Sequence, residues 1–446
     1  MACQAAKLEN DLGRDPIPQL VLRIAIPSML AQFVSVLYSV VDRMYIGNIA
    51  EVGKLALAGA GVCGPIVTMI GSVAFLVGVG GSPLMSIRMG AGDQNAAKRI
   101  LANCFLLLCG FSVVLMALAL ATRQQTLLLF GASESTLPYA MAYYTVYLLG
   151  TPFALLSTGM NQFIICQGFA KKGMQSVILG AVLNILLDPV FIFVLNMGVT
   201  GAALATILSQ AVSAAWVLRF LRSKNTKWRL KGKNLRPRAK VVLPCLALGL
   251  SPFIMQSTES LIAICFNSSL LKYGGDIAVG AMTVLTSIMQ FAMMPLQGLT
   301  QGAQPIVSYN YGARKAERVR EAFKCLLKAC VVYSMGLWIL VQLFPRMFIL
   351  IFNNSPELVD YASWALRIYM AATGVFGVQI ACQQTFIALG NAKTSLFLAV
   401  LRKIILLIPL IYILPMFFTD KAFAVFLAEP VADLLAVCTT ATMFFF

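Results

Sequence analysis

Arg219-Phe-Leu-Arg-Ser-Lys-Asn-Thr-Lys-Trp-Arg-Leu-Lys-Gly-Lys-Asn-Leu-Arg-Pro-Arg-Ala-Lys240 carries ten basic residues and no acid, in the middle of a 446-residue chain that is apolar on either side of it. Only 11% of the residues are charged and 59% are hydrophobic, with a mean hydropathy of +0.84. A soluble domain devotes about a quarter of its residues to charge, so the chain reads as an all-α polytopic membrane protein. Basic loops are retained on the cytoplasmic side, which places the linker inside. Stretches apolar and long enough to cross about 30 Å of hydrocarbon number twelve, near residues 19–47, 55–85, 98–122, 137–166, 174–196, 199–221, 241–270, 277–305, 322–348, 358–388, 393–416 and 421–444. Six precede the linker, and an even number returns the chain to its starting side, so both termini are expected inside. Met1 to Pro18 mixes acids and bases without an apolar core and does not read as a cleavable signal. The other loops assigned inside hold Arg88, Lys98 and Arg99, then Lys171 and Lys172, then Arg314, Lys315, Arg318 and Arg320, while the outer loops balance Glu51 with Lys54 and Lys272 with Asp276. The net charge of +17 is therefore read as a topology signal, with the lipid bilayer rather than nucleic acid as the partner.

Outward from the linker, the chain superposes on itself at an offset of 222 residues. Gly80 falls on Gly302, Pro83 on Pro305, Ser86 on Ser308, Gly90-Ala91 on Gly312-Ala313, Gln162 on Gln384, Gly168 on Gly390 and Lys171 on Lys393. Glycines, prolines and loop lysines report backbone turns rather than generic hydrophobicity, so their coincidence marks a repeat. The expected organisation is a six-helix lobe over residues 1–222, a basic cytoplasmic linker over 223–240 and a second six-helix lobe over 241–446. An even span count per lobe gives parallel repeats, the arrangement of carriers that rock two bundles about a central cavity.

The chain contains no histidine, which removes histidine acid/base chemistry, histidine metal sites and the triads built on histidine. Its eleven cysteines lie mostly inside apolar runs, as Cys104 and Cys109 do, and read as small buried hydrophobes. No phosphate loop or nucleophile constellation is present, so the chain is not read as an enzyme and no cofactor is implied. Acids at membrane depth are costly and mark candidate sites; these are Asp42, Asp188, Glu259, Glu429 and Asp433. Asn184 and Asp188 share a helix face, with Pro189 weakening the helix beside them. Residue counting puts Asp42, Asp188 and Thr206 at one depth, within roughly 12 Å of the outer surface. Two carboxylates, an amide oxygen and a hydroxyl suit a hard cation such as Na+, and the same crowded acids suit a proton equally. Glu259 is a candidate counter-charge for a cation in the cavity. Glu429 and Asp433 share a face and could pair with Arg402 or Lys403, and Arg367 is open to a structural or a transport role. Met289 and its methionine neighbours serve as packing or as an adaptable cavity wall.

These residues resemble the multidrug and toxic compound extrusion (MATE) transporters, in the bacterial branch of small-drug exporters. The resemblance rests on Pro27, on Val41-Asp42-Arg43-Met44-Tyr45-Ile46-Gly47, on Arg88-Met-Gly-Ala-Gly-Asp93 and on Gln167-Gly-Phe-Ala-Lys-Lys172. Asn184-Ile-Leu-Leu-Asp188-Pro189, Gly201-Ala-Ala-Leu-Ala-Thr206 and Asn310-Tyr-Gly-Ala-Arg-Lys315 complete it over essentially the whole chain. It implies twelve helices in two lobes forming a V around a central cavity, and exchange of amphipathic, often cationic small molecules for H+ or Na+. It further implies a coupling site at Asp42, Asn184, Asp188 and Thr206, a bend at Pro27, and a monomer in the bacterial inner membrane. Glu259, Gln162, Gln384 and Met289 are the expected cavity residues. Some members pair a seventh-helix glutamate with a tenth-helix aspartate; Glu259 matches the first, and the tenth span is read as carrying only Arg367 and the tyrosines, with no acidic partner evident. The alternatives are a lipid-linked saccharide flippase of the wider superfamily, which needs basic residues at cavity depth, and a major-facilitator carrier, whose Asp-Arg-x-Gly-Arg-Arg type loop is absent. A receptor or scaffold would need no paired buried acids.

Overall fold

A computed structural model describes residues 10–49, 52–226, 228–232 and 235–445. Glu51 of the outer-loop charge balance, Lys227 and Lys233 of the basic linker, Phe446 and the first nine residues lie outside the described residues. In chain order the helices are α1 (Ile17–Gly47), α2 (Gly53–Gly90), α3 (Gln94–Ala121), α4 (Arg123–Leu129), α5 (Leu137–Leu149), α6 (Thr151–Ile165), α7 (Ala170–Pro189) and α8 (Gly198–Arg222). After the linker come α9 (Ala239–Gly312), α10 (Ala316–Leu343), α11 (Pro345–Leu350), α12 (Pro356–Tyr369), α13 (Thr373–Ala388), α14 (Ala392–Val400), α15 (Ile408–Ile413) and α16 (Lys421–Phe445). Helices are the expected answer to lipid, which offers no partner for a free backbone N–H or C=O.

Among the described residues, nine helices are long and apolar enough to span, and two bent pairs raise the number to eleven. The 74 residues of α9 would reach about 110 Å if straight, far more than one bilayer. Gly275 breaks that helix with φ 68° and ψ −165°, so α9 is two spans joined by a tight turn and the total is twelve. The fourth and tenth spans, each one apolar stretch in the sequence, are bent: α5 meets α6 at 56° and α12 meets α13 at 48°. Pro152, in the first turn of α6, cannot donate to the preceding turn, and Gly150 at the corner lies against Ile207, where a Cβ would collide.

The 222-residue repeat is a repeat of structure. Ser86 Oγ donates to Cys166 O at 3.4 Å and its equivalent Ser308 Oγ donates to Ala388 O at 2.7 Å. Gly168 and Gly390 share a left-handed backbone, φ 89° and 77°, and so do Gly92 and Arg314, φ 80° and 57°. Each half has its own apolar core: Phe163, Leu101 and Leu108 anchor one, Phe266, Phe426 and Leu366 the other.

The halves meet tightly at the end of the molecule that carries the linker. A Cβ on Gly80 would stand 2.8 Å from Gly249 Cα, and one on Gly302, the repeat equivalent of Gly80, 2.7 Å from Ala25 N and 2.8 Å from Ala25 Cβ. Gly90 lies against Tyr309 O and Gly312 against Ile87 O, two contacts that the repeat interchanges. Glycine lets helix backbones approach this closely in a membrane, where dispersion and not hydrophobicity drives association. A strap of the chain before α1 also crosses this end. Asn10 Nδ2 donates to Gly168 O at 2.7 Å in one half, while in the other Asn310 Nδ2 reaches Leu12 O at 2.8 Å, Lys315 Nζ reaches Gly13 O at 2.8 Å and Arg318 reaches Asp15 O at 2.7 Å. Toward the far end the contact is lost: α1 buries seven residues from Ile17 to Ser28 and then none before Ile46. The lobes therefore form a V, closed at the linker end and open at the other.

Candidate functional site

The acids of the first half converge. Pro189 lacks an N–H, and directly after it the chain widens into a π turn over Val190–Val194, with Leu195 N bonded to Val190 O at 2.9 Å. Gly201 packs where a Cβ would lie 2.8 Å from Phe191 C, so the start of α8 lies flush on the π turn and Thr206 reaches the level of Asp188. Asn184 Nδ2 donates to Asp188 Oδ1 and to Thr206 Oγ1, each at 3.3 Å, and Thr206 Oγ1 donates to Ala202 O at 3.1 Å. Asp42, from α1, faces Asp188 with the two carboxyl groups within hydrogen-bonding reach.

The donors in this cluster are spent on orienting it, and the acceptors are not satisfied. Asp42 Oδ1, Asn184 Oδ1 and Asp188 Oδ2 are buried and no donor among the described residues reaches them. A buried acceptor without a partner costs about 1–3 kcal/mol, and three close together form a cradle for a positive species. The all-oxygen set fits a hard cation, and the facing carboxyl groups fit a proton. The sequence reading missed the aromatic collar. Tyr38 and Tyr143 lie near enough to Asp42 to feel its charge, Tyr143 stacks on Tyr147 at 6.2 Å, and Gln210 lies beside Tyr147. The i, i+4 spacing of Tyr143 and Tyr147 was the available signal.

The other expected residues scatter. Pro27 is buried in an unbroken α1, its missing N–H accommodated without a break. Gln162 lines a narrow cleft between the halves, roomy enough for about one water, with Ser82, Ser86, Cys166, Gln301 and Gln304. Met289 packs against the core of the second half, and Gln384 is half-buried beside Gln383, which donates to Ser251 Oγ at 3.5 Å. Arg402 takes both acids of α16, Asp433 at 2.7 Å and Glu429 at 3.3 Å, and lies 4.4 Å from the Phe376 ring centroid. Lys403 makes its own close pair with Glu259 at 2.7 Å and acts on Glu429 from a longer distance. The tenth span does hold an acid, Asp360, which is exposed and paired with Arg346 at 2.6 Å, while Arg367 is exposed.

The MatE family profile matches residues 27–190 and 252–413, nearly three quarters of the chain and both halves of it. The chain belongs to the MATE family. The MATE multidrug transporter DinF-BH, solved in complex with a ligand, is 35% identical with a TM-score of 0.90, over 99% of this chain and 98% of that one. Multidrug export protein MepA of Staphylococcus saprophyticus is 25% identical over 420 residues, 93% of this chain and 92% of its own length. A MATE transporter solved in an outward-facing conformation superposes with a TM-score of 0.89 at 23% identity, over 97% of this chain and 96% of that one, and shares the fold. This MATE chain is a membrane transporter for small molecules and not an enzyme, and the family works without a cofactor.

Proposed function

We propose that this transporter exports amphipathic, mostly cationic small molecules across a bacterial inner membrane, in exchange for an inward-moving H+ or Na+ bound at Asp42, Asn184, Asp188 and Thr206. A single chain holds both lobes, residues 1–222 and 241–446, joined by the cytoplasmic linker 223–240, so a monomer suffices. With the basic linker and both termini inside, the V is outward-open. The observation that carries the reading is the facing pair Asp42 and Asp188, each with an unsatisfied buried oxygen, beside that of Asn184. Two facing carboxyl groups can share one proton, as they can clasp Na+ between them. Removing that proton leaves two like charges at low dielectric, where their repulsion is several-fold larger than in water. The pair therefore releases its proton only where water reaches it, and Asn184, held by Thr206, keeps Asp188 aimed at Asp42 meanwhile. Loading the pair in the outward-open state removes negative charge from the cavity wall and with it the attraction for a bound organic cation. Substrate leaves outward as the ion enters, and the ion departs once the lobes reopen inward.

The test is efflux of a fluorescent organic cation from energised vesicles, with proton and sodium gradients imposed separately, for wild type and Asp188→Asn. Export driven by one gradient and lost in the variant supports the site and names the ion. Coupled export that survives in the variant refutes the site, and no flux of several cations under either gradient refutes the antiport.

A further inference from the structure

The second half holds a charge cluster that the coupling site does not use. Leu401–Leu407 forms a π turn between α14 and α15. In a regular helix, consecutive residues point about 100° apart, and one of two adjacent bases at membrane depth would face lipid. In this widened turn both are buried, Arg402 directed at α16 and Lys403 at α9. Arg402 is fixed by Asp433 at 2.7 Å, Glu429 at 3.3 Å and the Phe376 ring. Lys403 makes its close ion pair with Glu259 Oε1, at 2.7 Å, and lies near enough to Glu429 to act on its charge. The cluster thus sets three acids against two bases, and its acids differ in access: the Glu429 and Asp433 side chains are 5% and 4% exposed, that of Glu259 54%. The first span of α9 exposes Leu243, Leu250, Leu261 and Ile264 along one side, the lipid stripe. Glu259 falls roughly opposite that stripe at 100° per residue, with Gln256 and Ala263 one turn to either side, and so opens into the space between the lobes.

Resting on the cationic-substrate reading above, we propose that Lys403 is a specificity-determining residue: a built-in counter-cation that covers Glu259 and limits how much positive charge the cavity of this transporter accepts. With Lys403 in place the wall presents a carboxylate already paired, sufficient for the single charge of an amphipathic monocation held chiefly by its apolar body. A second positive charge on the ligand finds no free acid on this side. Removing the lysine charge leaves the Glu259 carboxylate, already open to the cavity, without its partner, and a dication gains a partner that a monocation needs less.

The experiment compares ethidium and propidium, which share a fluorophore and differ by one positive charge, binding to the purified full-length transporter in detergent without any ion gradient. Lys403→Gln is expected to tighten propidium about tenfold relative to ethidium, and Lys403→Arg to keep the wild-type ratio. Where Lys403→Gln does not yield a monodisperse protein, Glu259→Gln reads the same point in the opposite sense: it strands the lysine charge on the wall and lowers the propidium-to-ethidium affinity ratio by a similar factor. A ratio that stays within twofold of wild type in the folded variant overturns the inference. If wild type binds neither dye, the cationic-substrate reading fails as well; if it binds both and the ratio does not move, only the role of Lys403 fails.

Discussion

Adding one methyl group at Gly302 tests whether the linker-end contact sets the conformation of the protein. A Cβ there would stand 2.7 Å from Ala25 N and 2.8 Å from Ala25 Cα and Cβ, whereas carbon atoms rest about 3.5–4.0 Å apart. The two helix backbones must separate by about 1 Å, and both are held by close contacts above and below, so the strain falls in the overpacking range of about 1–3 kcal/mol. Charged against the closed linker end alone, that energy shifts its equilibrium about 5–150-fold toward the opposite conformation. Gly80→Ala should act alike, because the repeat places its Cβ 2.8 Å from Gly249 Cα and N. The readout is native: Cys166 lines the cleft between the halves and is 4% exposed. Its alkylation by a soluble maleimide, followed by peptide mass spectrometry, should accelerate by that factor in each single variant. If both variants are modified at the wild-type rate and melt at the wild-type temperature, the glycine contacts do not hold the linker end closed.

Thr206→Val removes one acceptor of Asn184 Nδ2 and should weaken the half-saturating ion concentration for transport about 2–10-fold, the effect of about 0.5–1.5 kcal/mol, while Thr206→Ser stays near wild type. Arg402→Met leaves Glu429 and Asp433 without their base and should lower the stability of the second half by about 3–5 kcal/mol, seen as a clear drop in melting temperature in detergent. Arg318→Ala deletes bonds to Leu12 O, Asp15 O and Asn310 Oδ1, so amide exchange in residues 10–16 should quicken at least tenfold, with little change in the cores.

Spans and repeat were legible because lipid imposes length and apolarity on every helix, and because the residues that shape turns recur at a fixed offset. The cluster proposed as the coupling site was legible for a narrower reason. Asn184 and Asp188 are one turn apart on the same helix, and Asp42 and Thr206 could be put at the same depth by counting from the span ends. Depth alone did not reach further. Which face of α9 meets which face of the π turn decides that Lys403 takes Glu259 and leaves both α16 acids to Arg402, and nothing in local spacing announces a π turn. The bend at Gly150 escaped for a similar reason, since it depends on Ile207 from a distant helix closing on a glycine.

The same offset shows how the two halves divide their work. The positions 222 residues after Asp42, Asn184, Asp188 and Thr206 are Ile264, Leu406, Leu410 and Ala428, and those 222 residues before Glu259, Arg402, Lys403, Glu429 and Asp433 are Leu37, Gly180, Ala181, Ile207 and Ala211. Each of these charged positions falls on an uncharged one in the other half, while Gly80, Pro83, Gly90 and Gly168 recur as Gly302, Pro305, Gly312 and Gly390. The π turns differ too, one directly after Pro189 and the other spanning Arg402 and Lys403. A symmetric scaffold gives two lobes able to rock about one axis, and asymmetric charge gives that motion different consequences on its two walls. On the proposed reading the first wall, with its unsatisfied acceptors, changes charge when an ion arrives, while the second carries its own cations. Coupling through one wall needs the other to stay constant, since two walls titrating together would make substrate affinity depend on ion loading twice over. Transplanting Lys403 across the repeat, as Ala181→Lys in the first half, should for that reason abolish ion-driven export while leaving the fold of the second half untouched, and a variant that still couples would show that the asymmetry of charge is not what divides the lobes.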